Sequence, residues 1–171
     1  IDWMDNDREH VLDSAKKQWS FQEEWVEKRF LSDVSILADK YRPNFLVLGV
    51  EVDFMALKKP AIFRDFVITY GKAYRIAKLK SPTTKVSVSF QFEQIVKSNG
   101  SIISIADSPI VRSFGPLLDI LGLSVYPCQL FSSPDNLADD YLSSVIPSKT
   151  KVAIFETGWP SSKRDENLQT E

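Results

Sequence analysis

The sequence predicts an α/β protein built on parallel strands, and two observations carry that reading. Nearly continuous apolar runs, "NFLVLG", "ILGLSV" and "KVAIF", have the pattern of strands covered on both faces. Their starts, with that of "KVSVSFQFE", fall near Phe45, Lys85, Ile120 and Lys151, a repeat of roughly 30 to 40 residues, the size of a strand plus a crossover helix. With 171 residues and 43% hydrophobic content, residues 1–171 can bury one core as a single domain.

Such a series can open as a doubly wound sheet or close as a (β/α)8 barrel, and both hold ligands at the C-terminal strand ends. The third segment favours the barrel. In "KVSVSFQFE", Val86, Val88, Phe90 and Phe92 alternate with Ser87, Ser89, Gln91 and Glu93. An open sheet would cover both faces of a central strand with helices, whereas a barrel lumen near its active end tolerates Ser and Gln.

The elements follow in order. Phe21, Trp25, Phe30, Val34, Leu37, Ala38 and Tyr41 recur at helical spacing, and Pro43 blocks continuation. The strand from Phe45 comes next, and Lys58-Lys59 reads as a solvated turn. A helix opens near Pro60, lined by Ile62, Phe63, Phe66, Val67, Tyr70, Ala73, Tyr74 and Ala77, and ends before Ser81-Pro82. The alternating strand leads through "SNGS" to a helical segment over residues 109–118 and then to "ILGLSVYP". Ser133-Pro134-Asp135 has the pattern of a helix N-cap, with Leu137, Tyr141, Leu142 and Val145 as the apolar stripe up to Pro147. "KVAIFE" closes the series.

Composition removes several chemistries. The net charge is −2, with 21 basic and 23 acidic side chains interspersed, so no broad positive surface is expected to bind nucleic acid. No apolar stretch reaches the ~20 residues of a membrane helix, and "IDWMDNDREH" has none of the regions of a signal peptide. An exported protein would carry that signal outside this chain. Cys128 and His10 are the single cysteine and histidine, which excludes a Cys/His zinc site and leaves a Ser-His-Asp triad without a nucleophile signature. Phosphate-binding glycine loops are absent, and no Asp/Glu cluster has a metal-loop spacing. Carboxylates are what remain, and no cofactor is required.

Two of them end strands. Glu51 closes "FLVLGVE" and Glu156 closes "VAIFE", so parallel strands bring both out on one rim. Period two places Phe45, Val47 and Gly49 on the face of Glu51, and Val152 and Ile154 on that of Glu156. Two carboxyl groups about 5 to 5.5 Å apart can hydrolyse a glycosidic bond with retention, and a gap of roughly 6.5 to 9.5 Å predicts inversion.

"LGVEVD" at residues 48–53, "LSVYP" at residues 123–127 and "ETGWPSS" at residues 156–162 resemble strands four, six and seven of clan A glycoside hydrolases. The last motif is similar to the nucleophile segment of family 17 β-1,3-glucanases and family 53 β-1,4-galactanases, and the Glu51 to Glu156 spacing is closer to family 53. The resemblance implies a retaining glycosidase that acts on a β-linked glycan, with Glu51 as acid/base, Glu156 as nucleophile and Tyr126 bonded to the nucleophile. By its own chemistry Trp159 is either a flat ring for a pyranose face or a plug between loops, and Gln91 and Glu93 either reach substrate or sit in a solvated loop. Where the clan carries an Asn before the acid/base, this chain has Val50. That departure keeps a second reading in view, a non-catalytic carbohydrate-binding or interaction protein on the same scaffold.

About four βα units, strands four to seven of a barrel, are expected where a whole barrel has eight. The open edges would be covered by further polypeptide, by self-association of two copies, or by elements in the first twenty residues. Trp3, Trp19 and Trp25 read as packing residues, and Asn99-Gly100-Ser101 as an N-glycosylation acceptor triplet.

Overall fold

Helix α1 (Glu24–Tyr41) turns Val26, Phe30, Val34 and Ala38 inward, a strict spacing of four that makes one narrow seam. Trp25 and Tyr41, expected on that seam, are instead 48% and 62% exposed. The structure is a computed structural model that describes residues 3–4, 20–98 and 104–160. His10, Trp19, the Asn99-Gly100-Ser101 triplet and the closing Ser161-Ser162 of the last motif lie outside the described residues. Arg42, left-handed at φ 44°, caps α1 and leads through Pro43 into β1 (Phe45–Val47).

A short helix, α2 (Val52–Lys58), starts straight after Glu51, so the expected solvated turn at Lys58-Lys59 is in fact the end of a helix and its cap. Helix α3 (Pro60–Lys80) begins on Pro60 as expected, with Phe63, Phe66, Tyr70, Ala73 and Ala77 buried. Phe66 is the hub of the helix layer. Its ring lies 5.2 Å from Phe21, 6.5 Å from Phe30, and 6.3 Å from both Tyr70 and Phe114. Such pairs contribute about 0.5–1.5 kcal/mol each beyond the area they bury.

The alternating segment is two short strands, β2 (Lys85–Ser87) and β3 (Ser89–Gln91), because it changes partner at Val88. β1 pairs with β2, while β3 pairs with β4 (Leu121–Val125), and β4 with β5 (Val152–Thr157), all parallel. The Ser89 N–H to Gly49 O bond of 2.9 Å and the Asp119 N–H to Val86 O bond of 3.0 Å run the two ladders together. Among the described residues the result is a mixed α/β structure of parallel strands whose extended lines neighbour one another in chain order.

The chain leaves β3 directly into α4 (Phe92–Ser98), so Phe92 and Glu93 are helical rather than extended. The segment around Pro109 splits into α5 (Pro109–Arg112) and a 3-10 turn at Gly115–Leu117. The helix expected up to Pro147 is reduced to a 3-10 turn at Pro134–Asn136, where Ser133 Oγ accepts the Asp135 N–H at 3.3 Å, followed by turns. Single helix-like turns remain, with the Ser144 N–H on Asp140 O at 2.8 Å and the Ile146 N–H on Leu142 O at 3.1 Å, but they do not join into a helix.

The sheet curls. Rings of Phe45 on β1 and Phe155 on β5 meet edge to face with centroids 6.1 Å apart, although three strand spacings, about 14 Å, separate the two strands along a flat sheet. Gly122 makes room for this contact, since a Cβ there would lie 2.6 Å from the Phe155 ring and 2.3 Å from Val88 O.

At the opposite end of the strands, Asp119 Oδ2 accepts from Lys78 Nζ at 3.0 Å and from the Val86 N–H at 2.9 Å, while Oδ1 accepts from Tyr74 Oη at 2.9 Å. Lys78 also donates to Thr84 O at 2.8 Å. Burial alone would raise the Asp119 pKa, but these bonds and the Lys78 charge outweigh it and hold the carboxyl below its ordinary value of 3.8. A lowered folded pKa means that this stabilisation is present above about pH 4 and is lost as the pH falls through the folded value. Asp119→Ala should cost about 3 kcal/mol at neutral pH. Urea midpoints at pH 6 and pH 3 check this, and the gap between the two proteins should narrow at the lower pH.

Candidate active site at the strand ends

Because the strands are parallel, Glu51 after β1, Tyr126 after β4 and Glu156 near the end of β5 come out on the same rim. Face is decided by the ladder partners. Phe90 pairs with Leu123 and packs against Phe114, so these look toward the helices, while Ser89, Gln91, Gly122 and Ser124 look the other way. Between Leu123 and Ser124 the ladder to β5 shifts, from Leu123↔Ile154 to Ser124↔Glu156, leaving Phe155 as an extra residue. This β-bulge sets Glu156 on the face of Ser124.

The bulge also corrects the period-two expectation. Val152 and Ile154 pair with Leu121 and Leu123 and therefore face away from Glu156. On β1, Phe45 lies on the curled face, as its contact with Phe155 requires, but Gly49 does not. A Cβ on Gly49 would meet Val52 at 2.7 Å and Phe66 at 2.8 Å, so this position points into the helix layer. The strand has already ended at Val47, and the chain is turning toward α2.

Glu51 takes up that turn in a left-handed conformation, φ 49° and ψ 47°, at a cost on the order of 1 kcal/mol for a side chain with a Cβ. Its N–H donates to Ser89 Oγ at 3.0 Å, and the Ser124 hydroxyl donates to the same Oγ at 3.3 Å. Glu51, Ser89, Ser124 and Glu156 thus follow one another across the sheet on the face that holds Phe45 and Phe155.

Tyr126 is bonded to one of the two carboxylates. Its hydroxyl donates to Glu156 Oε2 at 3.2 Å. Burial, then the charge and hydrogen bond of Glu156, and then the charge of Glu51, push its pKa above the ordinary 10.0. Both acids are therefore within electrostatic reach of one phenol, which stays a proton donor across the neutral range. The Tyr126 ring also rests on Gly158, where a Cβ would lie 3.4 Å away.

The remaining residues read from the sequence fall into different places. Trp159 is half-buried beside this rim in sequence, three residues beyond Glu156. Gln91 and Glu93 are not in a solvated loop: they are 1% and 0% exposed. Gln91 Nε2 donates to Glu93 Oε2 at 2.6 Å, Gln91 Oε1 accepts the Gln94 N–H, and the Gln91 N–H donates to Asp53 Oδ1 at 2.8 Å. Gln91 thus braces the site from beneath. Asp53 and Tyr141 were not singled out in the sequence as site residues, yet both join this buried network. Tyr141 is read in the sequence only as part of an apolar stripe, and Asp53 only as the end of the segment at residues 48–53.

A cleft of about 440 Å³ opens at the other end of the sheet, between Arg112, Asp119, Lys149 and Lys151. None of Glu51, Tyr126 or Glu156 lines it, and its carboxylate is taken up by Lys78, Tyr74 and Val86. The rim, where a phenol is bonded to one carboxylate and feels the charge of a second, is the stronger candidate for chemistry. Among the described residues no group of three or more His, Cys, Asp or Glu is arranged to hold a metal ion, and no helix is long and apolar enough to cross a membrane. Compared with known proteins, the chain matches no family model, no curated protein and no solved structure.

Proposed function

We propose that the chain is part of a (β/α)8-type barrel that hydrolyses a β-linked glycan with retention of configuration. The observation that supports this most is the Tyr126 hydroxyl, bonded to Glu156 and close enough to Glu51 to feel its charge. Glu156 attacks the anomeric carbon, and the departing glycosidic oxygen takes the proton of Glu51. In the second step Glu51 withdraws a proton from water, which displaces Glu156 and releases the sugar. Tyr126 holds the nucleophile in place and yields its bond as the carboxylate oxygen turns to the sugar. Trp159 offers a ring for stacking, and the substrate is a carbohydrate with no cofactor involved.

Val50 favours a second reading. Its side chain cannot donate a hydrogen bond to a sugar hydroxyl, a contact that can supply several kcal/mol in the transition state. A carbohydrate-binding protein without turnover would tolerate that loss. Incubation with β-1,3- and β-1,4-linked glucans, galactans and mannans separates the two. Reducing ends released by the native chain support hydrolysis, whereas binding without release in every glycan supports the second reading.

A further inference from the structure

The polar groups beneath the rim form one continuous chain. Glu93, wholly buried, accepts three hydrogen bonds, from Gln91 Nε2 at 2.6 Å, from the Tyr126 N–H at 3.0 Å and from Tyr141 Oη at 2.7 Å. Each donor comes from a different part of the chain: the end of β3, the residue after β4, and the turns before β5. Through Gln91 the chain continues to Asp53 Oδ1, two residues past Glu51. Through Tyr126 it continues to Glu156.

A carboxylate in this position is costly for folding. Several kcal/mol of hydration are lost on burial, and an apolar side chain of similar volume would fill the space at less expense. What the carboxylate does that an apolar group cannot is grip a backbone N–H and a phenol at fixed distances. Tyr126 is the residue gripped, and it is also the one whose hydroxyl reaches the rim.

We infer that Glu93 is a positioning residue, which fixes the backbone of Tyr126 between β3 and Tyr141 and so places the Tyr126 hydroxyl against Glu156. The part of this inference that concerns turnover rests on the glycosidase reading; the part that concerns Tyr126 does not. The Tyr126 N–H and Tyr141 Oη share Glu93 Oε1, which a Gln would reproduce with its amide oxygen, whereas Leu leaves both donors without an acceptor, so in Glu93→Leu Tyr126 shifts relative to Glu156. A displacement of this kind is expected to lower kcat by about 10- to 100-fold with KM little changed.

The test uses the full chain carrying ¹³C-labelled tyrosine. The Tyr126 ring signal is followed by NMR against pH in the native protein, in Glu93→Leu and in Tyr141→Phe. Tyr126→Phe assigns the signal. In the native protein Tyr126 should titrate above the ordinary tyrosine range. Glu93→Leu should bring its titration down toward that range, and Tyr141→Phe, which removes a single donor, should move it the same way by less. A Glu93→Leu protein, or failing its folding a Tyr141→Phe protein, that melts earlier but leaves the Tyr126 titration unchanged would show a purely structural role and overturn the inference. Absence of hydrolysis in the native protein would count against the glycosidase reading alone, since the Tyr126 titration is read without substrate.

Discussion

Glu156→Gln is expected to lower glycan turnover by more than about 10⁴-fold while leaving glycan affinity within a few-fold of the native value. The amide has the volume of the carboxylate and keeps an oxygen for the Tyr126 hydroxyl, so the rim retains its shape. It cannot form the ester bond to the anomeric carbon, which removes the first step entirely. Glu51→Gln should behave differently. Its loss matters in proportion to how much the leaving oxygen needs a proton, so an aryl glycoside with an acidic phenol should still react in the first step and then stall. Steady-state rates on a natural glycan and an aryl glycoside, with binding by calorimetry, check both. Equal losses on the two substrates in Glu51→Gln would remove Glu51 from the acid/base role.

An effect on stability as large as that at Asp119 is expected at Gly122. An added Cβ would sit 2.3 Å from Val88 O and 2.6 and 2.9 Å from two atoms of the Phe155 ring. The ring has little freedom to leave, held as it is against Phe45, and the carbonyl is backbone, so relief requires β4 to move away from the preceding line. Gly122→Ala should therefore cost about 3 kcal/mol, a large part of the 5–15 kcal/mol that typically holds a domain together. The same movement would separate Ser124 from Ser89 and disturb the rim. Urea denaturation measures the loss, and a second change, Phe155→Ala, should recover only part of it because the clash with Val88 remains.

How much of this was legible in the residues depends on the pattern each element leaves. Helices α1 and α3 are long enough to impose a helical period, strands β1, β4 and β5 lie in nearly continuous apolar runs, and Pro43, Pro60 and Pro82 punctuate the series. The short helices α2 and α4 leave no such pattern. α4 follows its strand without a loop and α2 after only four residues, and each carries a buried acid, Asp53 or Glu93, whose type ordinarily signals solvent. Apart from Gln91 beside Glu93, their partners come from 33 to 48 residues away along the chain, so that pairing exists only after folding. The over-long helix before Pro147 has the opposite cause: an apolar stripe is present, but the backbone closes only separate turns along it.

At the rim, strand ends told where Glu51 and Glu156 emerge but not how they turn. Period two set Gly49, Val152 and Ile154 on the wrong face, because neither the early end of β1 nor the extra residue at Phe155 leaves a mark on alternation. The resemblance to clan A glycoside hydrolases had Tyr126 beside the nucleophile, and the phenol is hydrogen-bonded to Glu156.

The most direct measurement of the central proposal, that Glu156 forms a bond to a sugar at a site shared with Glu51, is trapping with a 2-deoxy-2-fluoro glycoside carrying a good leaving group. The fluorine destabilises positive charge at the anomeric centre and slows both steps, while the leaving group lets the first proceed, so the covalent sugar accumulates. Peptide mapping by mass spectrometry should find the added mass on Glu156, and Glu156→Gln should take up none. A label on another residue, or none from any of the glucosyl, galactosyl and mannosyl reagents on a chain that hydrolyses the matching glycan, would contradict the account.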